Sequence, residues 1–218
     1  MINILCFGDS NTYGYCHTAP DFRYSEEKRW VNILSVMLGN GFSVSAEGQN
    51  GRTTAFDWPP NPVPPIPEKN GLKILPEILG RQKEKTNLII FMLGTNDCSF
   101  PFGLSPEEIT YGMEKLIDAA NNIETEKQGF SPKIILVSPP LILPDIEGTP
   151  FVNQIDKSSA EKSLALAPLY EELAERKNCI FLDAKDCEVN PLDCEHLTEK
   201  GHRHLAEKLY RAIMNIKF

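Results

Sequence analysis

The sequence predicts a single three-layer α/β/α domain on a five-stranded parallel sheet, covering residues 1–218. Three observations predict it. Short apolar runs alternate with helical patterns along the whole chain, the signature of β-α units. Those runs are mostly apolar throughout rather than at every second residue, which is how strands covered on both faces read. The length, 218 residues, suits one domain that hides roughly 70% of its extended surface, so the core needs no metal or disulfide staple.

"INILCFG" (2–8) is the first strand, a partly β-branched apolar run closed by glycine. Residues 26–41 read as a helix, with Trp30, Ile33, Leu34, Met37 and Leu38 recurring at threes and fours before a glycine stop. "FSVSAE" (42–47) alternates and gives the second strand. Six prolines in the loop 57–71 forbid a ladder there and favour extended chain. A short helix follows over 72–80, interrupted or started near Pro76, and "NLIIFML" (87–93) is the clearest buried strand. Residues 105–124 form a helix whose Ser105, Pro106 and Glu108 make a capping box with proline at its first position. "KIILVSPP" (133–140) is the fourth strand. Residues 158–177 are a helix capped by Ser158 with Glu161, kinked or restarted at Pro168. "CIFLDA" (179–184) is the fifth strand, and a helix capped by Thr198 closes the chain over 198–216. No internal repeat or second pattern divides the domain.

The formal charge of −8 argues against partners that attract basic surfaces, nucleic acid and anionic membranes among them. No run approaches the ~18 apolar residues of a membrane span. No secretory signal is visible, and the six cysteines contain no C-x-x-C pair, so reduced thiols in the cytoplasm are expected.

In an open parallel sheet, ligands bind beyond the carboxyl ends of the strands. After the first strand comes Gly8-Asp9-Ser10, after the second "EGQNGRTT", after the third Gly94-Thr95-Asn96-Asp97, and beyond the fifth "DCEH". A serine, a histidine, an acid, an amide and a glycine thus converge on one edge. Those are the parts of an acyl-transfer site: nucleophile, base, orienting carboxylate and oxyanion donors. A nucleophile elbow of the G-x-S-x-G kind is absent, since Thr12 stands two residues after Ser10.

"FGDSNTYG", "GQNGRTT", "GTND" and "DCEH" together resemble, in order, the four blocks of the SGNH (GDSL) hydrolases. "GDSNT…RW", "GRTT", "MLGTND" and "VSPP" resemble more narrowly its arylesterase and acyltransferase-like branch. Asn11 stands where the family's usual leucine lies. The resemblance implies a flavodoxin-like fold and a serine esterase that needs no metal or other cofactor. Ser10 would attack the ester carbonyl, His196 would relay the proton, and Asp193 would hold the imidazole. The backbone N–H groups of Ser10 and Gly51 and the amide of Asn96 would hold the oxyanion. Members of that branch can be homo-oligomers.

Asp9 and Asp97 read as structural acids. Tyr13, Tyr15, Trp58, Phe100, Phe102 and Phe151 follow the blocks or sit in long loops. Of these, Tyr13, Trp58, Phe100 and Phe151 are taken as the walls of an acyl or aryl pocket. With the prolines they suggest a narrow mouth, suited to small acetyl-type esters of aryl alcohols or sugars. Longer-chain lysophospholipase or thioesterase activity is the neighbouring alternative, and a non-catalytic carbohydrate-binding domain on the same fold is another. His202 and His204 read as surface histidines; with His196 they would be the ligands of a zinc hydrolase, the remaining alternative. The 57–71 loop is expected either to roof the pocket or to meet a neighbouring subunit.

Overall fold

In the computed structural model, which describes residues 1–59 and 68–218, each predicted apolar run is a strand. The strands are β1 (Ile2–Gly8), β2 (Phe42–Gly48), β3 (Leu88–Met92), β4 (Lys133–Ser138) and β5 (Ile180–Asp183). They form one sheet in the order β2-β1-β3-β4-β5, with every neighbouring pair parallel, as in a flavodoxin-like domain. Residues 60–67 lie outside the described residues, and with them most of the expectation about the proline-rich loop.

Successive strand residues point to opposite faces, and both faces are covered. Leu5, Phe7, Ile89, Phe91, Ile134 and Leu136 pack beneath α3 (Gly71–Arg81), α4 (Pro106–Gln128) and α5 (Lys157–Lys177). Ile4, Cys6, Leu88, Ile90, Ile135 and Val137 pack beneath α2 (Trp30–Leu38) and α6 (Glu199–Met214). This double burial is the physical reason the inner strands β3 and β4 carry unbroken apolar runs. Among the described residues no helix is long and apolar enough to cross a membrane.

Helix ends differ from the sequence reading in instructive ways. The Ser105 box is present: Ser105 Oγ accepts from Glu108 N at 3.2 Å and Glu108 Oε2 accepts from Ser105 N at 2.8 Å. Helix α5 is capped by Asp156 rather than Ser158, because Asp156 and Ser159 exchange side-chain and backbone bonds, which sets the cap two residues earlier. It also runs unbroken through Pro168. Leu166, Tyr170 and Leu173 are fully buried around that proline, and their packing outweighs the roughly 3 kcal/mol an interior proline costs. Helix α3 passes through Pro76 in the same way, with Leu75, Ile78 and Leu79 buried. Helix α2 starts only at Trp30, after a separate 3-10 turn at Glu26–Lys28.

At the carboxyl edge Gly8 lies in register between Gly48 of β2 and Met92 of β3. A short helix, α1 (Ser10–Tyr13), rests directly on that edge. A Cβ on Gly48 would stand 2.2 Å from the Tyr13 nitrogen, so only glycine lets α1 settle there. The sheet edge is therefore shaped to present the first residue of α1, Ser10.

Candidate active site

Asp9 caps α1, its Oδ1 accepting from Asn11 N at 2.9 Å, and it is almost wholly buried. Burial pushes its carboxyl up to about 6, against the pull of the Asn11 bond and of His196. It has the turn-holding place expected from the sequence. Ser10, next in line, is buried except for one side that opens onto a cavity.

His196 arrives from the loop before α6. Its Nε2 lies 2.9 Å from Ser10 Oγ. On the other side of the ring, Nδ1 lies 3.3 Å from Asp193 Oδ2, close but too poorly aligned for a well-formed hydrogen bond. Asp193 is fully buried, and its Oδ1 accepts the backbone N–H groups of Glu195 (3.2 Å) and His196 (3.0 Å). The D-x-x-H spacing is thus a tight turn in which the acid grips the backbone of the histidine beside it. Burial would lower the imidazole's affinity for a proton, but Asp193, then Glu195 and Asp9, outweigh it and leave His196 raised above its ordinary value.

The opposite wall comes from the second and third blocks. Gly51 adopts φ +78°, a left-handed conformation that favours glycine, and its carbonyl accepts from Trp58 Nε1 at 2.7 Å. Neither the Gly51 nor the Ser10 backbone N–H has a hydrogen-bond partner among the described residues. Asn96 Nδ2 donates to the Arg52 carbonyl at 3.0 Å, which fixes the plane of its amide beside the cavity. The two blocks are locked together by Asp97, whose buried carboxylate accepts from Thr54 N (3.0 Å) and Thr54 Oγ1 (2.6 Å). Burial pushes Asp97 up to about 7 despite those bonds.

Two residues the sequence left without a role prove to be ties. Arg52, buried over the Phe7 ring, donates from Nη1 to the Gly8 carbonyl at 2.9 Å and to that of Glu47. It fastens the second block to the strand end that carries Ser10. Asn11 donates from Nδ2 to the Glu195 carbonyl (3.1 Å) and accepts from Leu197 N (2.8 Å), so its amide straddles His196. A buried polar residue where the resembled family carries leucine was the signal for this clasp.

Ser10, Gly51, Asn96 and His196 share a cavity of about 510 Å³ with Tyr15, Trp58, Lys69, Phe151 and Glu195. Tyr15 leans on the imidazole at 4.3 Å between ring centres, and Phe151 lies at 5.4 Å. Of the expected wall residues, Trp58 and Phe151 are there and Tyr13 and Phe100 are not. Tyr13 faces the Arg23 guanidinium, 3.8 Å above its ring, while left-handed Gly14, which ends α1, separates it from Tyr15. Phe100 starts a 3-10 turn that leaves it 41% exposed.

His202 is also not where the sequence suggested. It is fully buried, and Nδ1 accepts the first N–H of α2, from Trp30, at 3.3 Å. Burial pushes it down to about 3. Among the described residues, the side chains close enough to hold a metal are Asp186, Cys187 and His204, a set that includes neither His196 nor His202. Lys208 already binds the Asp186 carboxylate there, which opposes a metal cation.

Residues 6–211 match the sequence profile of the GDSL-like lipase/acylhydrolase family. No curated protein sequence matches the chain. Among solved structures, an aryl esterase from M. smegmatis is 32% identical with a TM-score of 0.88, all of both chains being covered. A carbohydrate acetylesterase from Sinorhizobium meliloti is 31% identical with a TM-score of 0.86, over 98% of this chain and 99% of its own. A structure described as a putative arylesterase from Agrobacterium tumefaciens is 30% identical with a TM-score of 0.85, again over the whole of both chains.

Proposed function

The chain belongs to the GDSL-like lipase/acylhydrolase family and is a carboxylic ester hydrolase, and from that premise we propose that it cleaves small acetyl-type esters of sugars or aryl alcohols through an acyl-serine. The observation that carries the reading is the 2.9 Å contact between Ser10 Oγ and His196 Nε2, at a cavity that Gly51 and Asn96 also line.

Neutral His196 takes the Ser10 proton as Oγ bonds to the carbonyl carbon. The carbonyl oxygen becomes an oxyanion facing the N–H groups of Ser10 and Gly51 and the free amide hydrogen of Asn96. Each such donor lowers a barrier by roughly 3 kcal/mol, because it stabilises charge only as that charge develops. Collapse of the intermediate expels the alcohol, which leaves with the proton from Nε2. Water then repeats the cycle on the acyl-serine and releases the acid. Asp193, fixed by two backbone bonds, keeps the imidazole oriented and favours its transient charge.

A cavity of about 510 Å³ walled by Trp58, Pro101 and Phe151 suits a short acyl chain, and the neighbours described as aryl esterase and carbohydrate acetylesterase support the same alcohol classes. The free thiols fit a reducing compartment, so a cytoplasmic location is part of the proposal, with no nucleic-acid or membrane partner.

A series of p-nitrophenyl esters from acetate to octanoate tests it. Turnover is expected to peak at acetate and to rise with pH through a pKa above the ordinary histidine value, because the base works only when neutral. A preference for octanoate would transfer the assignment to the lipase-like alternative, and inactivity of the wild type on every ester would reject it.

A further inference from the structure

Glu195 is the one acidic side chain among the described residues lining the cavity. It is 9% exposed, and its carboxylate makes no hydrogen bond to any described residue. Its backbone, by contrast, is held at both ends: the N–H by Asp193 and the carbonyl by Asn11. The fold fixes this residue firmly yet leaves its side chain without a hydrogen-bond partner among the described residues. A buried, unpaired carboxyl is costly, so a ligand group that completes it gains binding energy.

Its position says which group. Glu195 Oε1 lies 3.8 Å from His196 Nε2, the nitrogen that must hand a proton to the departing alcohol. The ester oxygen of the leaving group has to come within about 3 Å of that nitrogen. Oε1 therefore faces the first carbons of the alcohol portion, not the acyl chain. Resting on the esterase reading, we propose that Glu195 accepts a hydrogen bond from a hydroxyl beside the ester oxygen, so that the enzyme prefers monoesters of vicinal diols and polyols to esters of simple alcohols. The same carboxylate would disfavour anionic alcohol portions by like-charge repulsion.

Burial pushes the Glu195 carboxyl up to about 7; His196 pulls it down, and Asp193 and Asp9 push it further up. Tyr15, Cys98 and Cys194 also feel its charge, and Lys69 is the cation that lines the same cavity. The preference should therefore strengthen as pH rises through about 7 and the carboxylate forms, since a charged acceptor bonds a hydroxyl more strongly.

The experiment compares kcat/KM for glycerol 1-acetate and propyl acetate, which share an acyl group and chain length and differ in hydroxyls. Because both need the same base, ionisation of His196 cancels in their ratio. The wild type is expected to favour the glycerol ester by about 10-fold or more, as for a bond to a charged group. Glu195→Leu should bring the ratio close to one. Glu195→Gln, nearly the same shape, should keep an intermediate ratio that no longer changes with pH. A wild-type ratio near one, a ratio unaltered in Glu195→Leu, or one that still climbs through neutrality in Glu195→Gln would each overturn the proposal. Wild type that hydrolyses both esters equally well rejects the role of Glu195 alone, whereas wild type inactive on these and on p-nitrophenyl acetate rejects the esterase reading beneath it.

Discussion

Ser10, His196, Gly51 and Asn96 on the floor of the cleft are held differently from Tyr15, Trp58 and Phe151 on its walls. The floor is tied by buried polar contacts between segments far apart in the chain: Asn11 to residues 195 and 197, Arg52 to Gly8, Asp97 to Thr54. The walls are held mainly by ring contacts, such as Trp58 on Phe102 at 4.8 Å and Tyr15 near Phe151 at 6.0 Å. Directional bonds fix atoms to within a narrow range, whereas apolar contact tolerates a shift. A reaction that needs atomic placement is thus supported by hydrogen bonds, and a pocket that only needs shape is supported by packing.

The comparison is broken most severely at Ser10, the proposed nucleophile. Ser10→Ala should lower kcat for p-nitrophenyl acetate by roughly 10⁴-fold or more with little change in folding, read by steady-state kinetics and thermal melting together. Asn96→Ala comes next. Loss of an oxyanion donor should reduce kcat about 10²- to 10³-fold while KM stays nearly constant, and an effect confined to KM would show that Asn96 is only a wall residue.

Asn11→Leu, which restores the residue usual in the resembled family, tests whether the clasp positions the base. It leaves the Glu195 carbonyl and the Leu197 N–H buried without their partner, at roughly 1–3 kcal/mol each. We expect kcat to fall about 10-fold or more and the melting temperature to drop, with Asn11→Asp, which keeps an acceptor for Leu197 N, losing less. Unchanged kcat in Asn11→Leu would mean that Asp193 alone suffices to place His196.

These residues also mark how much was readable from the sequence. The sheet, its five strands and the four motif blocks were legible because short apolar runs and strand-end turns are local signals. Asp193 and His196 were legible because three residues of spacing bring them to one turn. Arg52 was not, because its partner lies 44 residues away and nothing local announces it; Asn11 was marked only by its place at the family's leucine, and its partners, up to 186 residues away, were not legible. Tyr15 and Tyr13 exchanged places as wall residue because the left-handed Gly14 at the end of α1 lies between them, and no count of aromatics reveals that.

His202 was misread for the same reason, since its partner is the Trp30 N–H, 172 residues away. It yields the next prediction. Its folded pKa of about 3 lies below the ordinary histidine value, so the fold binds only the neutral form. Its stabilising contribution is present above about 6.5 and is lost as pH falls from there toward 3, by up to ~1.4 kcal/mol per pH unit. Asp9, Asp97 and Glu195, all raised, act in the opposite sense and favour the fold as pH falls from about 7 toward 4. His202→Asn should keep an acceptor for Trp30 and remove only the first effect. Denaturant melts at pH 7 and pH 5 should show the variant losing less stability on acidification than the wild type; parallel losses would place the acid sensitivity elsewhere.

The smallest effect is expected where the two regions meet. Trp58 is a wall residue by its contact with Phe102, yet its Nε1 also donates to the Gly51 carbonyl at 2.7 Å. That bond holds the Gly51–Arg52 peptide and, through the Gly51 Cα at φ +78°, limits how far the adjoining Gly51 N–H can turn. Trp58→Phe keeps an aromatic wall and removes the tie. If the bond only packs the wall, the variant should behave like Phe151→Leu, with KM changed and kcat intact. If it steadies an oxyanion donor, kcat should fall a few-fold, in line with ~1 kcal/mol for one hydrogen bond, while KM moves less. We expect the second outcome, because a Gly51 backbone that can rock turns the adjoining N–H away from the developing charge before the pocket loses its shape.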